Sequence, residues 1–217
     1  MTKQPYPASL AASSFIPFDT CIVLMLGYPG MGKRTIGSHL AAMLDGVLVD
    51  NQLINRPLLE LFRWDGVALL PPQIWDRVLP IREAVLGVIE DLAPSSNSYV
   101  FTNVLEEGPA GAEGYHRIRS VAHRRGSLFL SVMLTCDIEV QVSRIDNPDR
   151  VALRKGSDPD GYRYHRLTTN LYQPPASEVI YLDTTEATPT SNAQRIYQTL
   201  RERGYATSAE PQAHNGA

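Results

Sequence analysis

A glycine-rich run near the N-terminus constrains the fold of this chain more than any other feature of its sequence. The run follows the apolar stretch Cys21–Leu26 and reads Gly27-Tyr28-Pro29-Gly30-Met31-Gly32-Lys33-Arg34-Thr35. Beyond it, apolar residues recur at helical spacing. They predict a helix that begins near Gly32, ends before Gly46 and presents one apolar face made of Ile36, Leu40, Met43 and Leu44. The chain must therefore turn from a buried strand directly into a helix.

The glycines of this run have a physical use. Because they carry no Cβ, successive backbone N–H groups can curl around an anion, and the N-terminus of the following helix adds positive potential. A lysine at the place of Lys33 reaches the outer phosphates of a nucleotide. The residues predicted to bind the nucleotide are Gly27, Gly30, Met31, Gly32, Lys33, Arg34 and Thr35. The alternative is a glycine-rich turn with a solvated lysine.

The run departs from the general phosphate-binding pattern at one position. That pattern places Ser or Thr directly after the lysine, where the hydroxyl holds Mg²⁺. Here Arg34 takes that place, and the hydroxyl follows one residue later in Thr35. Because a helix turns by about 100° per residue, direct contact between Thr35 and a metal ion is left open.

The rest of the chain alternates short apolar runs with longer segments of helical period. This alternation is typical of an α/β domain with a parallel sheet. Strands are predicted at 21–26, 47–49, 99–102, 127–135 and 179–182. Helices are predicted at 73–92 with a kink or fresh start at Pro80, at 115–125, after an N-cap at Asp137, and at 191–203. The domain is expected to cover 20–204, between mobile tails at 1–19 and 205–217.

Composition excludes several classes of protein. The 217 residues carry 20 basic and 23 acidic side chains, for a net charge of −3, so a broad basic face for nucleic acid is not expected. No apolar run approaches the roughly 20 residues that span a bilayer, and the N-terminus lacks the apolar block of a secretion signal. We therefore expect a cytoplasmic protein. Cys21 and Cys136 are interpreted as small buried apolar residues.

From the glycine-rich run outward, the sequence resembles the P-loop small-molecule kinases, a group with adenylate-kinase-like, shikimate-kinase-like and chloramphenicol-phosphotransferase-like members. The pattern G-x-P-G-x-G-K-x-T resembles the adenylate-kinase-like members, in which the residue after the lysine also carries no hydroxyl. The resemblance covers roughly residues 22–203. It implies a three-layer fold with a five-stranded parallel sheet in the order 2-3-1-4-5, an arginine-bearing lid, and ATP and Mg²⁺ as cofactors.

Polar side chains follow two of the predicted strands. Asp50 ends the second strand and Asn103 the third, at the edge of the sheet where ligands bind in open α/β folds. The resemblance implies that an acid at the place of Asp50 supports Mg²⁺ or activates the acceptor hydroxyl. Alternatively, Asp50 only caps the next helix. Asn103 stands where many P-loop proteins carry a metal-orienting Asp. It is predicted to hold a metal-bound water or a substrate hydroxyl, unless it only ends the strand.

A lid is predicted at about 144–166. This segment contains six cations, which are Arg144, Arg150, Arg154, Lys155, Arg163 and Arg166. Arginine suits phosphoryl transfer because its planar fork binds phosphate at two points. The resemblance implies that Arg144 stacks on the adenine and that Arg150 or Arg154 closes over the phosphates. The last two share a face if the segment is helical. Four interleaved aspartates favour the alternative of surface ion pairs.

The sequence thus predicts an ATP-dependent phosphotransferase that acts on a hydroxyl of a small molecule. Its catalytic residues are expected to be Lys33, Asp50, Arg150 and Arg154, with Thr35 and Asp50 toward the metal. The acceptor region is expected at about 51–92, where the apolar content indicates a partly hydrophobic pocket. A nucleoside-monophosphate kinase would need an arginine-lined acceptor site, for which Arg56, Arg63, Arg77 and Arg82 are available. A non-catalytic nucleotide binder is the alternative from another class.

Overall fold

Five parallel strands form the centre of the molecule. The computed structural model describes residues 18–147 and 149–206 of the chain. The strand order is β2-β3-β1-β4-β5, which confirms the predicted sheet. The strands are β1 (Cys21–Leu26), β2 (Val47–Asp50), β3 (Tyr99–Asn103), β4 (Leu128–Thr135) and β5 (Val179–Asp183).

Helices cover both faces of this sheet, as the three-layer expectation requires. They are α1 (Lys33–Met43), α2 (Asn51–Leu61), α3 (Gln73–Gly87, continued as a π-helical turn at Val88–Leu92), α4 (Pro109–Arg124), α5 (Ile138–Ile145), α6 (Asp149–Ala152), α7 (Pro159–Thr168) and α8 (Pro189–Glu202). The side chain of Asp137 accepts from two backbone N–H groups at the start of α5, which confirms the predicted N-cap. No helix within the described ranges has the length and apolar character needed to cross a bilayer.

The core lies on both sides of β1, which is buried along its whole length. Alternate residues of a strand point to opposite faces. Val23 and Met25 pack in one apolar cluster with residues of α1 and α8, whereas Ile22 and Leu24 pack in a second cluster with residues of α3 and α4. Because β1 has no solvated face, its sequence is uninterrupted by polar residues.

Three helix predictions need correction. On α1, Ile36, Leu40 and Leu44 are buried as expected, but Met43 is 37% exposed because it lies at the edge of the apolar face. Helix α3 continues through Pro80, so the fresh start predicted there as one alternative is wrong, whereas the kink stays a prediction. Proline removes a hydrogen bond to the carbonyl four residues earlier, and both Pro80 and Asp76 lie on the exposed face, where water can satisfy that carbonyl. Helices α4 and α8 begin earlier than predicted, each with a proline in its first turn.

The chain ends meet at the edge of the domain. Phe18 and Tyr205 form a parallel bridge, and Tyr205 is 4% exposed and packs in the α1–α8 cluster. Phe18 and Tyr205 therefore belong to the packed domain, although the prediction assigned them to the tails at 1–19 and 205–217. The remainder of both predicted tails, 1–17 and 207–217, lies outside the described residues.

Strand register brings the candidate residues to one edge of the sheet. Asp50 at the end of β2 pairs with Thr102 on β3, and Leu26 at the end of β1 pairs with Asn103. The glycine-rich run starts directly after Leu26. All three strands run in the same direction, so their carboxyl ends lie at one edge of the sheet. These ends and the glycine-rich run therefore surround one space.

Candidate active site

The glycine-rich run, residues 27–32, forms a tight loop that leads into α1. Gly27, Gly30 and Gly32 have φ values of 147°, 87° and 81°, in the region that favours glycine. A Cβ on Gly30 would lie 2.8 Å from the carbonyl oxygen of Gln141 on α5. The amide of Gln141 donates to the carbonyl of Pro29 at 2.8 Å and holds the loop from behind. Glycine is therefore required at position 30 for both conformation and space.

The first turn of α1 is open to an anion. Gly32 is the N-cap residue, and it offers no side chain to the first backbone N–H groups of the helix. Such groups have no partner inside the helix, and the helix dipole adds to their positive potential. The loop therefore presents the donors that the phosphate-binding prediction requires.

Lys33 reaches back over this loop. Its Nζ donates to the carbonyl oxygens of Gly27 at 2.5 Å and Tyr28 at 2.8 Å. The pKa of Lys33 is lowered to about 7, chiefly by burial and also by the charges of Lys155 and Arg150, while the carboxylate of Asp50 opposes this shift. An anion bound in the loop would favour the charged form of Lys33 and raise this pKa again.

The carboxylate of Asp50 lies at the edge of the sheet and contacts two cations. Its Oδ1 accepts from the Thr102 hydroxyl at 3.0 Å and from the backbone N–H of Gln52 at 3.4 Å. Its Oδ2 lies 3.2 Å from the Nζ of Lys155 and 3.3 Å from the Nε of Arg34. Asp50 thus does cap α2, as the alternative interpretation held, but its second oxygen is directed at charged groups.

The predicted lid arginines do not act as a pair. Arg150 lines the cavity, donates from Nε to the carbonyl of Gly156 at 2.8 Å and lies over the ring of Tyr162. Burial lowers its pKa. Helix α6 ends at Ala152 and Arg154 has a left-handed φ of 51°, so the two arginines share no helical face. The guanidinium of Arg154 donates instead to Glu60 and to the Trp64 carbonyl, and Arg154 is absent from the cavity lining.

Other cations of the segment hold the domain together. Arg144 donates to the carbonyl and hydroxyl of Thr184, at 2.7 and 3.3 Å, and so ties α5 to the loop after β5. Arg163 forms a two-point pair with Glu139 at the surface, which agrees with the ion-pair alternative for this residue. Arg166 donates to Gln141 and to the carbonyl of Cys136. The structure presents the segment in one position, so its closure as a lid stays a prediction.

Sequence reasoning missed Lys155 and His165. Lys155 is one of the six cations of the predicted lid, and the sequence suggests no catalytic role for it. Its side chain is nevertheless only 18% exposed and reaches Asp50. Burial lowers its pKa, and Asp50 opposes that shift. His165, for which the sequence suggests no role, lines the cavity and pairs through Nε2 with Glu106 at 2.9 Å. Neither placement has a local signal, because each depends on how the chain folds back after α5.

These groups line one cavity of about 820 Å³, within the range of about 300–1,000 Å³ typical of ligand pockets. The predicted site residues found in its lining are Gly30, Met31, Gly32, Lys33, Arg34, Thr35, Asp50, Asn103, Arg144 and Arg150. Gly27 and Arg154 are outside that lining. The loop, the carboxylate and the cations therefore face the same space.

Comparison with known proteins identifies the fold of this chain but no sequence family. No protein-family model and no curated protein matches the sequence. Solved structures do match. A candidate kinase from Chloroflexus aurantiacus J-10-fl is 14% identical, with 83% of this chain and 98% of that chain covered and a TM-score of 0.58. The chain has the fold of the P-loop small-molecule kinases.

Two further structures share this P-loop kinase fold. A gluconokinase from Sinorhizobium meliloti 1021 is 15% identical over 87% of this chain and 99% of that chain, with a TM-score of 0.54. An APS kinase from Mycobacterium tuberculosis, solved with AMPPNP and APS, is 17% identical over 86% of this chain and 99% of that chain, with a TM-score of 0.52. At these identities the similarity establishes the fold, and the chemistry must be argued from the site.

Proposed function

We propose that this protein is a phosphotransferase that moves the terminal phosphate of ATP to a hydroxyl group of a small molecule. One observation carries the proposal: the open glycine loop, the Asp50 carboxylate and the cations Lys33 and Lys155 line a single cavity. Phosphoryl transfer requires little more than positioning and charge stabilisation from a protein. The kinases that share the fold support the same reading.

In this proposal the loop holds the nucleotide. Backbone N–H groups at 30–33 bind the phosphates, and the ammonium of Lys33 moves from the loop carbonyls to the outer phosphate oxygens. Arg144 lies beside the loop after β5, where the base is proposed to bind. Mg²⁺ bound with ATP would neutralise charge on the outer phosphates. Thr35 lines the cavity and is proposed to contribute its hydroxyl to this ion, which leaves Asp50 for the acceptor.

The acceptor half of the reaction is assigned to Asp50. The acceptor oxygen forms a bond to the terminal phosphorus, the bond from that phosphorus to the bridging oxygen of ADP breaks, and the hydroxyl proton passes to the Asp50 carboxylate. Arg150 and Lys155 stabilise the charge on the transferring group. Asn103 is 6% exposed and lines the cavity, and it is proposed to hold an acceptor hydroxyl.

The structure does not bring to the cavity the arginines that a nucleoside-monophosphate kinase would need for its acceptor phosphate. Within the described ranges, none of the four candidates, which lie on α2, on α3 and in the loop that joins them, lines the cavity. Arg56 pairs with Glu60 and Arg82 donates to Asn51. Arg63 and Arg77 are exposed. None of the four arginines on which this alternative depends is therefore in a position to bind the phosphate of a monophosphate in this cavity.

The test has two stages. Calorimetry with ATP and Mg²⁺ measures nucleotide binding, and transfer of a labelled terminal phosphate is then followed across a panel of small hydroxyl compounds and nucleoside monophosphates. We expect micromolar to millimolar binding and transfer to a hydroxyl compound. Binding without transfer to any acceptor would favour a non-catalytic nucleotide binder, and efficient turnover of a monophosphate would favour the nucleotide-kinase alternative.

A further inference from the structure

Part of the cavity wall has a different chemistry from the glycine loop. Helix α2 contributes Gln52, Asn55 and Leu59 to this wall. The two indole side chains of Trp64 and Trp75 complete it, from the loop after α2 and from the first turn of α3. We call these five residues the amide–indole wall. Its members are amides, indoles and one aliphatic side chain, and none of them carries a charge.

Two oxygens of this wall have no hydrogen-bond partner. Asn55 is 5% exposed, and its Oδ1 is buried without a donor. The Oε1 of Gln52, one helical turn away, is in the same condition. A buried acceptor left unpaired is costly, and native proteins rarely retain one without a reason. The terminal torsion of an amide is soft, so a ligand in the cavity can meet each amide after a small rotation.

Several cations next to this wall already have partners. Arg34 and Lys155 both lie on the Oδ2 of Asp50. Arg154 donates to Glu60, and Arg82 donates to Asn51. Burial also lowers the pKa of Arg82. A carboxylate or phosphate bound at this wall would have to compete with Asp50 and Glu60 for these cations, which is unfavourable in a partly buried site.

We propose that the acceptor is an uncharged molecule that donates hydrogen bonds to Asn55 and Gln52 and lays an apolar face on Trp64 and Trp75. Amides paired with indole rings suit a ligand that combines hydroxyl or N–H groups with a flat apolar surface. This inference rests on the proposed phosphotransferase function and names the acceptor class for it. It makes Asn55 and Gln52 specificity-determining residues, with Asp50 kept for the reacting hydroxyl.

Intrinsic fluorescence tests the inference directly. The sequence contains two tryptophans, and both line the cavity, so quenching reports occupation of the wall. Each pair of probes consists of an uncharged molecule and a matched molecule that carries a carboxylate. The pairs are phenyl β-glucoside with phenyl β-glucuronide, 2-phenyl-1,3-propanediol with tropic acid, and methyl quinate with quinate. We expect the uncharged member to bind about tenfold more tightly. Equal or tighter binding of the acids, or no quenching by any uncharged member at millimolar concentration, would overturn the proposal.

Substitution of Asn55 tests whether the amide–indole wall binds the uncharged probe. Asn55→Leu should weaken binding of the uncharged probe by about tenfold, the amount expected for a lost hydrogen bond in a buried site, and leave ATP affinity unchanged. Asn192→Leu is the matched control: Asn192 is 1% exposed and its amide atoms also lack partners, but it lies on α8 outside the cavity lining. If Asn55→Leu fails to fold, Trp75→Leu replaces it, because that side chain is 49% exposed. Unchanged probe affinity in the folded variant would contradict the proposal.

Phosphate transfer separates this inference from the function on which it rests. Tight binding of the uncharged probe without transfer from ATP would leave the acceptor class standing and count against the phosphotransferase. Transfer to the acid member of a pair would support the phosphotransferase and overturn the acceptor class.

Discussion

The two halves of the cavity are built in different ways. The nucleotide half consists of the loop at 27–32 and the first turn of α1, which are consecutive in sequence and bind mainly through the backbone. The acceptor half consists of Asp50, the amide–indole wall and Lys155, which come from separate segments and act through side chains. Contacts between distant segments therefore decide the acceptor half, whereas local conformation decides the nucleotide half. Substitutions should separate the two halves in a binding and turnover assay.

Asp50→Asn should have the largest effect. Asparagine keeps the size of the side chain and can still accept from Thr102, but it cannot take the proton of an acceptor hydroxyl. We expect turnover to fall by about 10²- to 10⁴-fold, the usual contribution of a general base, with ATP affinity changed by less than about threefold. Single-turnover transfer and calorimetry measure the two quantities. Near-normal turnover would show that Asp50 serves only as the cap of α2.

Lys33→Ala should affect the nucleotide half. The ammonium donates to two loop carbonyls in the free protein, and these carbonyls can bind water in its place, so the fold should be retained. Loss of charged hydrogen bonds to phosphate, at about 1.5–3 kcal/mol each, should weaken ATP binding by about 10- to 100-fold. Arg163→Ala is the control, since that cation is paired with Glu139 at the surface. An unchanged dissociation constant would remove the basis for the nucleotide site.

The pH dependence of ATP binding should single out the same lysine. Burial lowers the pKa of Lys33 to about 7, so the free protein loses the ammonium as pH rises above 7. Phosphate favours the charged form and raises the pKa in the complex, so binding takes up a proton. Between pH 7 and pH 8 the ATP dissociation constant should increase by about fivefold. Calorimetry in buffers of different ionisation enthalpy measures the proton uptake.

Lys33→Arg provides the control for this dependence. Arginine stays charged across the same range, so the variant should bind ATP with a nearly constant affinity from pH 7 to pH 8. A slope that persists in Lys33→Arg would assign the dependence to another group, such as Lys155, whose pKa burial also lowers.

The difference between the halves also explains which residues could be predicted from the sequence. The sheet order and the loop at 27–32 follow from local patterns, because β1 is apolar throughout and the glycines stand where positive φ is needed. Arg154 and Lys155 show the opposite case. Continued helix would have paired Arg154 with Arg150, but a left-handed residue at 154 turns that side chain toward Glu60 and brings Lys155 to Asp50. No periodicity in the sequence encodes this reversal.

The smallest expected effect tests how the acceptor half is held together. The segment that carries Lys155 docks on the loop after α2, where the N–H of Ser157 donates to the carbonyl of Gly66 at 2.9 Å. Gly66 has a φ of 89°, and a Cβ there would lie 2.6 Å from the Lys155 carbonyl oxygen. Gly66→Ala should therefore lower the free energy of unfolding by about 1–3 kcal/mol.

Because that substitution shifts the docked segment, it should also weaken binding of the uncharged probe by about two- to threefold and leave ATP affinity unchanged. Gly87→Ala is the matched control: this glycine lies in α3, and an added Cβ would meet nothing within 4 Å. It should raise the free energy of unfolding by up to about 1 kcal/mol. Urea unfolding and fluorescence titration measure both variants. Equal losses of ATP and probe affinity in Gly66→Ala would mean that the two halves form one rigid unit. The acceptor half would then not be separable from the nucleotide half by substitution.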